Sequence, residues 1–227
     1  MGRSGDETRT RIVRAAEDLF AANGIDSVSL REVMRVAEVR NTVSVQYHFT
    51  DRAGVVAAIL EKHRPEIEAR RHAILDELEA SGDLSPRQLA VALVRPWAWK
   101  LNDADGGRAF LQINHELIAR ARAVGGNKRG GGGGGRTPDS YRRWTALARS
   151  SLARSARTWD RPGTATVMAS AELARRARAR SRVSDQAFVA NLIDVIAAVL
   201  VAPVSAETAR AVRAGKQTRK SSTTNHN

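Results

Sequence analysis

Apolar residues recur at helical spacing along almost the whole chain. Ile12, Ala15, Ala16, Leu19 and Phe20 line one side of a first segment, with charged residues on the other. Ser4 and Glu7 have the S-x-x-E spacing of a capping box and predict where that helix starts; Asn23-Gly24 predicts its end. A second capping box, Ser29 to Glu32, opens a short helix with Leu30, Val33, Met34 and Ala37 inward. After a short turn a polar helix is expected from Asn41 to His48, held down by Val39, Val45 and Phe49. Asp51 then opens a longer helix with Val55, Val56, Ile59 and Leu60 inward, expected to run to about Arg64 and end at Pro65.

Helical period continues beyond, with no strand-like alternation and no internal repeat, so the expected fold class is all-α. Pro65 should sit at the first position of a new helix carrying Ile67, Ile74, Leu75 and Leu78. Ser85-Pro86 starts another, which Pro96 should interrupt. Phe110, Ile113, Leu117 and Ile118 mark the next. Between Gly125 and Asp139 lie six consecutive glycines, Gly130 to Gly135, which cannot pack and are expected to form a mobile loop. The run lacks the order of a phosphate-binding loop. Thr137-Pro138 restarts a helix bearing Tyr141, Trp144 and Leu152. Asp185 to Val201 carries two apolar stripes, Phe188/Leu192/Val195/Val199 and Val189/Ile193/Ile196/Leu200. Such a helix is either central in its own domain or shared with a partner.

A long helix followed by two short ones is how a helix-turn-helix presents its second short helix to a DNA groove. Arg40, Asn41, Thr42, Ser44, Gln46, Tyr47 and His48 offer donors and acceptors with little to bury. On pattern alone, a solvated helix on a small bundle is an equal alternative. Charge does not decide between them. The net charge is +13, but residues 1–52 balance 8 Arg against 8 Asp/Glu, whereas residues 125–182 hold 14 Lys/Arg against 3 Asp/Glu. The run from Ala174 to Arg182 reads as a solvated basic face.

The stretch from Arg11 to Leu60 resembles the DNA-binding domain of the TetR family of transcriptional regulators. The resemblance rests on A-A-x-x-L-F-A-x-x-G over Ala15 to Gly24, on Tyr47-His48-Phe49, and on the wording RN-x-x-x-VQYHF from Arg40 to Phe49, which looks like one subgroup. It implies that the polar face from Arg40 to Gln46 (Arg40, Asn41, Thr42, Ser44, Gln46) reads bases in double-stranded operator DNA. It also implies that Tyr47, His48 and Arg52 hold phosphates, the last at a helix N-terminus that favours an anion. Three positions depart from the family: Glu38 replaces a turn Gly, Met34 an Ala and Thr50 a Gly. Glu38 must either accept an unfavourable backbone conformation or shift the turn.

By the same resemblance, the last long helices pair across a homodimer axis, placing Phe188, Leu192, Val195 and Val199 at the interface. An effector pocket is implied too, for which Trp97, Trp99, Phe110, Asn114, His115, Leu117 and Trp144 are candidate walls, with core filling the plainer reading of the aromatics and of His115. The expected divisions are residues 1–52 for DNA binding, 53–214 for effector binding and dimerisation (with a flexible loop at 125–137), and a disordered tail at 215–227. The expected function is a repressor released from a palindromic operator by a small, mostly apolar effector; a constitutive or architectural DNA-binding dimer is the alternative.

Other chemistries find little in the chain. It has no cysteine, which excludes disulfides and thiolate metal sites. The five histidines show no ligand spacing, and no G-x-S-x-G is present, so no enzyme, cofactor or metal is expected. The N-terminus lacks the apolar stretch of a secretory signal, and the apolar run Val195 to Val204 is too short to span a bilayer, so a cytoplasmic protein with no membrane partner is expected.

Overall fold

The computed structural model describes residues 3–39, 49, 51–123, 139–179 and 182–214. The described residues are all helix, turn or loop, and no strand occurs among them. Helix α1 (Arg3–Asn23) begins one residue ahead of the expected Ser4 cap and ends at Gly24, whose φ of +84° is a conformation that glycine adopts freely. Helix α2 (Leu30–Val36) starts as the second capping box predicts: Ser29 is extended, and its hydroxyl accepts the Glu32 N–H at 3.2 Å. Asp51 caps α3 (Arg52–Ser81) in the same way, accepting the Gly54 N–H at 2.8 Å.

Two expected breaks do not occur. Helix α3 runs for 30 residues straight through Pro65. The reason is packing. Pro65 itself is exposed, but Ile59, His63, Ile67, Arg71 and Leu75 are all buried at four-residue intervals on either side of it. Burying that continuous ridge outweighs the roughly 3 kcal/mol that an interior proline costs. Helix α4 (Pro86–Ala98), capped by Ser85, likewise contains Pro96. It tightens into a 3₁₀ turn only at Trp99–Asn102.

The remaining elements are α5 (Gly107–Ala123), α6 (Asp139–Ser151), the short α7 (Arg154–Thr158), α8 (Arg161–Arg178), α9 (Asp185–Val201) and α10 (Ala206–Ala214). Helix α9 packs mainly on α4 and also on α8, α5 packs on α8, and α1 lies against α5 as well as α2 and α3. One apolar cluster runs from Ile12 and Phe20 of α1 through Ile59 and Leu75 of α3 to Ile196 and Leu200 of α9. No single described helix is long and apolar enough to cross a membrane.

Replacing Pro65 by Ala should therefore stabilise the protein, because an exposed alanine restores the missing hydrogen bond without leaving a cavity. The expected gain is about 1–3 kcal/mol, read as a raised melting midpoint by circular dichroism.

Candidate functional site

The corner that precedes the expected groove-reading segment is fully defined. Helix α2 ends with Glu38 at φ +53°, while the Val39 N–H donates to the Met34 carbonyl at 3.0 Å and the Glu38 N–H to the Arg35 carbonyl at 3.2 Å. These six-to-one and five-to-two bonds form a Schellman motif, which favours glycine at the position Glu38 occupies. Of the two options the sequence left, Glu38 takes the first: it accepts the left-handed conformation and the turn is not shifted. Arg40, Asn41, Thr42, Ser44, Gln46, Tyr47 and His48, and also Thr50, lie outside the described residues. Phe49, which follows the segment, is buried in the core.

Arg52 is the first residue of α3, and its Nη1 lies 3.5 Å from Asp26 Oδ1. Asp26 is also held by Arg120 of α5, at 3.1 Å from Nη1 and 2.9 Å from Nη2. Arg120 pairs with Glu116 one turn earlier. Both carboxylate oxygens of Glu116 accept the Ile25 N–H, at 3.3 and 3.2 Å. Helix α5 thus grips the corner between α1 and α2 by a backbone amide and a carboxylate side chain. Burial pulls the Arg120 guanidinium down, but hydrogen bonds and charges from Asp26 and Glu116 carry it above its ordinary value.

A second contact ties α1 to the rest. Glu17 and His63 are each about 1% exposed, and Glu17 Oε1 is 2.7 Å from His63 Nε2. Lys62 donates to the other Glu17 oxygen at 2.8 Å and pairs with Asp105 at 3.1 Å. Asp105 in turn pairs with Arg14. Asp103 lies 3.7 Å from His63 Nδ1 and accepts from Lys100 at 2.8 Å. Gly106, at φ +84°, sits so close that an added Cβ would collide with the Glu17 carboxylate. An open, polar recess of about 490 Å³, lined by Arg14, Glu17, Asp18, Ala104, Asp105 and Gly106, lies at this seam. Sequence reasoning missed Glu17 and His63. The signal was their place on apolar stripes: Glu17 between Val13 and Phe20, His63 between Ile59 and Ile67.

Of the candidate effector walls, Trp97, Phe110 and Trp144 are buried, Asn114, His115 and Leu117 half-buried and Trp99 exposed. Trp144 is fully buried, donates from its indole N–H to the Leu89 carbonyl at 2.8 Å and stacks on Tyr141. Phe110 is buried against His63, with ring centroids 4.7 Å apart. Trp97 is buried and faces the Arg71 guanidinium at 5.3 Å. His115 shares a 3.1 Å hydrogen bond with Ser170, and burial, the largest cause, together with the Arg178 charge lowers its pKa. Asn114 and Leu117 are half-buried on the same helix. Trp99, in the 3₁₀ turn, is 49% exposed, and its ring carries the Arg70 guanidinium at 3.5 Å.

Arg71 of α3 is among the buried polar groups that the sequence pattern did not flag. Arg71 is fully buried, donating from Nε to the Ala92 carbonyl at 3.2 Å and from Nη1 to Ser140 Oγ at 3.0 Å. Its Nη2 has no partner among the described residues. Glu68, 3.6 Å from Nη1, is already committed to the amide and hydroxyl of Ser140. Burial outweighs the Glu68 charge and pulls the guanidinium down to about 10.

On α9, Ile193, Ile196 and Leu200 of the second stripe are buried and Val189 is half-buried. The candidate interface stripe divides. Leu192 is buried in the chain's own core. Phe188 is half-buried beneath the Arg176 guanidinium. Val195 is 37% exposed, and Val199 is half-buried. The basic run after Ala174 is also not a uniformly solvated face: Arg176 is buried, its Nε 2.5 Å from Asp185 Oδ1. The Gly130–Gly135 run and the tail from Gly215 lie outside the described residues.

No protein-family profile matches the chain, and neither does any curated protein. Among solved structures it is similar to a Rhodococcus sp. protein assigned to the TetR family of transcriptional regulators, at 24% identity over 86% of this chain and 99% of that one, with a TM-score of 0.45. It is also similar to a TetR-family transcriptional regulator from Pectobacterium atrosepticum, at 20% identity over 90% of this chain and 100% of that one, with a TM-score of 0.37. Both TM-scores are below 0.5, and neither likeness carries the reading that follows.

Two substitutions test the corner and the seam. Glu38→Gly should stabilise the protein by about 1 kcal/mol, because it removes the left-handed strain of a non-glycine residue. Gly106→Ala should destabilise it by about 1–3 kcal/mol, since the new Cβ meets a buried carboxylate and the backbone stays left-handed. Urea midpoints at unchanged slope would measure both.

Proposed function

We propose that the chain is a DNA-binding transcriptional regulator of the TetR type. It acts as a homodimeric repressor on a palindromic duplex, with residues 1–52 reading DNA and residues 53–214 forming the sensor and dimer part. The observation that carries this reading is the order of the N-terminal elements. A 21-residue helix, a seven-residue helix closed by a Schellman turn, and the polar residues from Arg40 to His48 follow one another and lead directly into the capped N-terminus of α3. In this reading Arg40, Asn41, Thr42, Ser44 and Gln46 face base edges, and Tyr47, His48 and Arg52 face phosphates.

The exposed part of α9, with Val195 and the half-buried Phe188 and Val199, is the surface that would meet the second copy. Pairing is needed for two such helices to enter successive major grooves roughly 34–36 Å apart. An effector would bind within residues 53–214, where Asn114 and His115 of α5 could orient one polar group of a largely apolar molecule. The constitutive alternative has its own support. Trp97, Phe110 and Trp144 are each buried, as core residues are, with the Trp144 N–H already satisfied.

Gel shifts with genomic fragments test the main reading. Asn41→Ala or Gln46→Ala should change preference among sequences by about 1–3 kcal/mol per contacted base pair, whereas Tyr47→Ala should weaken binding to all of them alike. Binding no tighter than to random duplex would end the proposal. Val195→Asp should yield monomers or aggregates in light scattering, because an unpaired charge is not tolerated in a packed interface. Apolar carboxylates and amides that raise the melting point and release bound DNA would favour the sensor. Stabilisation by none of them would favour the constitutive dimer.

A further inference from the structure

We infer that Asp26 is an internal stand-in for a DNA phosphate, held by Arg120 of α5 against Arg52, and that α5 thereby sets how freely Arg52 reaches the duplex. The inference rests on the DNA-binding reading above and adds a regulatory contact to it. Two guanidiniums from different elements, Arg52 of α3 and Arg120 of α5, converge on this one carboxylate at the α1–α2 corner. The corner is therefore already arranged to hold an anion beside Arg52.

The two halves of the contact differ. Arg120 holds Asp26 through both terminal nitrogens, at 3.1 and 2.9 Å, while the Arg52 contact is single and longer, at 3.5 Å. The Asp26 carboxylate is largely exposed, so its pairing with Arg52 is weak and easily exchanged for a phosphate oxygen. Arg120 is not free to drift. Glu116 holds it, and Glu116 accepts the neighbouring Ile25 amide with both oxygens. A turn of α5 is thus fastened to residues 25 and 26 together.

The direction of the effect follows from sharing one charge between two cations. When Arg120 holds Asp26 tightly, Arg52 is released towards a phosphate. When α5 withdraws Arg120, Asp26 turns to Arg52 and occupies it. Asn114 and His115, candidate effector contacts, directly precede Glu116 on the same helix. A shift of α5 at those residues would reach Arg52 without passing along α3.

The test uses the full-length protein and a short fluorescein-labelled duplex of mixed sequence, with anisotropy followed against KCl concentration. Asp26→Asn should tighten binding about two- to five-fold, the equivalent of one surface ion pair, and steepen the log–log salt dependence by up to about 0.9, the share of one phosphate contact, because Arg52 is then no longer shared between Asp26 and a phosphate. Arg120→Gln should weaken binding by a similar factor. In an Arg52→Gln background, Asp26→Asn should change neither affinity nor slope. Asp18→Asn, which removes an exposed charge of the same sign from α1, should change the slope by less than Asp26→Asn does. An equal gain in the Arg52→Gln background, an equal gain from Asp18→Asn, or no gain from Asp26→Asn would each overturn the inference while wild-type binding leaves the DNA reading standing. Absence of wild-type binding at low salt would remove both.

Discussion

A carboxylate with almost no access to water lies between α1 and the rest of the molecule, and the arrangement of the surrounding helices follows from the need to match it. Burying Glu17 unmatched would cost several kcal/mol. Its partners, His63 and Lys62, both come from α3, while the tight turn around Gly106 packs close against its carboxylate. The charges around it are linked in turn, Lys62 to Asp105, Asp105 to Arg14, and Asp103 to Lys100. Lys100 continues to Glu66, Glu66 to Arg70, and Arg70 ends over the Trp99 ring. Rotating helix α1 on α3 would break the buried Glu17–His63 pair.

The legible parts of this fold were those decided within a few residues. Ser29, Asp51 and Ser85 each cap a helix with their own side chain, and Gly24 and Glu38 sit where the chain must take a left-handed residue. What could not be read locally was decided by burial. Pro65 and Pro96 announce a lost hydrogen bond in the sequence, but not the apolar ridge on both sides that holds the helix together. The stripe of α9 was visible as apolar, yet which half meets the chain's own core depends on where α4 and α8 lie. The candidate effector residues show the same limit: their spacing does not reveal that Trp97, Phe110 and Trp144 are buried while Trp99 is half-exposed. His63 and Arg71 are the reverse case, polar residues at apolar positions, which is a signal that a buried network is present but not what it contains.

The proposed DNA-reading part, residues 1–52, and the proposed sensor part, residues 53–214, do not have separate interiors. Apolar residues of α1 and α2 join the same cluster as those of α4 and α9, with α3 contributing to all of it. The nominal boundary at residue 52 falls at the first residue of α3, so the long helix belongs to both parts. Helix α5 has a comparable double position, facing α8 within the helical domain and the α1–α2 corner outside it.

All four tryptophans, Trp97, Trp99, Trp144 and Trp159, fall beyond residue 52. Tryptophan fluorescence, excited selectively at the red edge where tyrosine does not absorb, therefore reports only on residues beyond 52. Two of the indoles are buried and two are substantially exposed, so emission should be a blend of blue-shifted and red-shifted components. Only Trp99 lies directly beneath a guanidinium of the network that reaches the α1 seam, which makes it a built-in probe of that seam: a change in the seam would show in the red component while the buried indoles stayed unchanged.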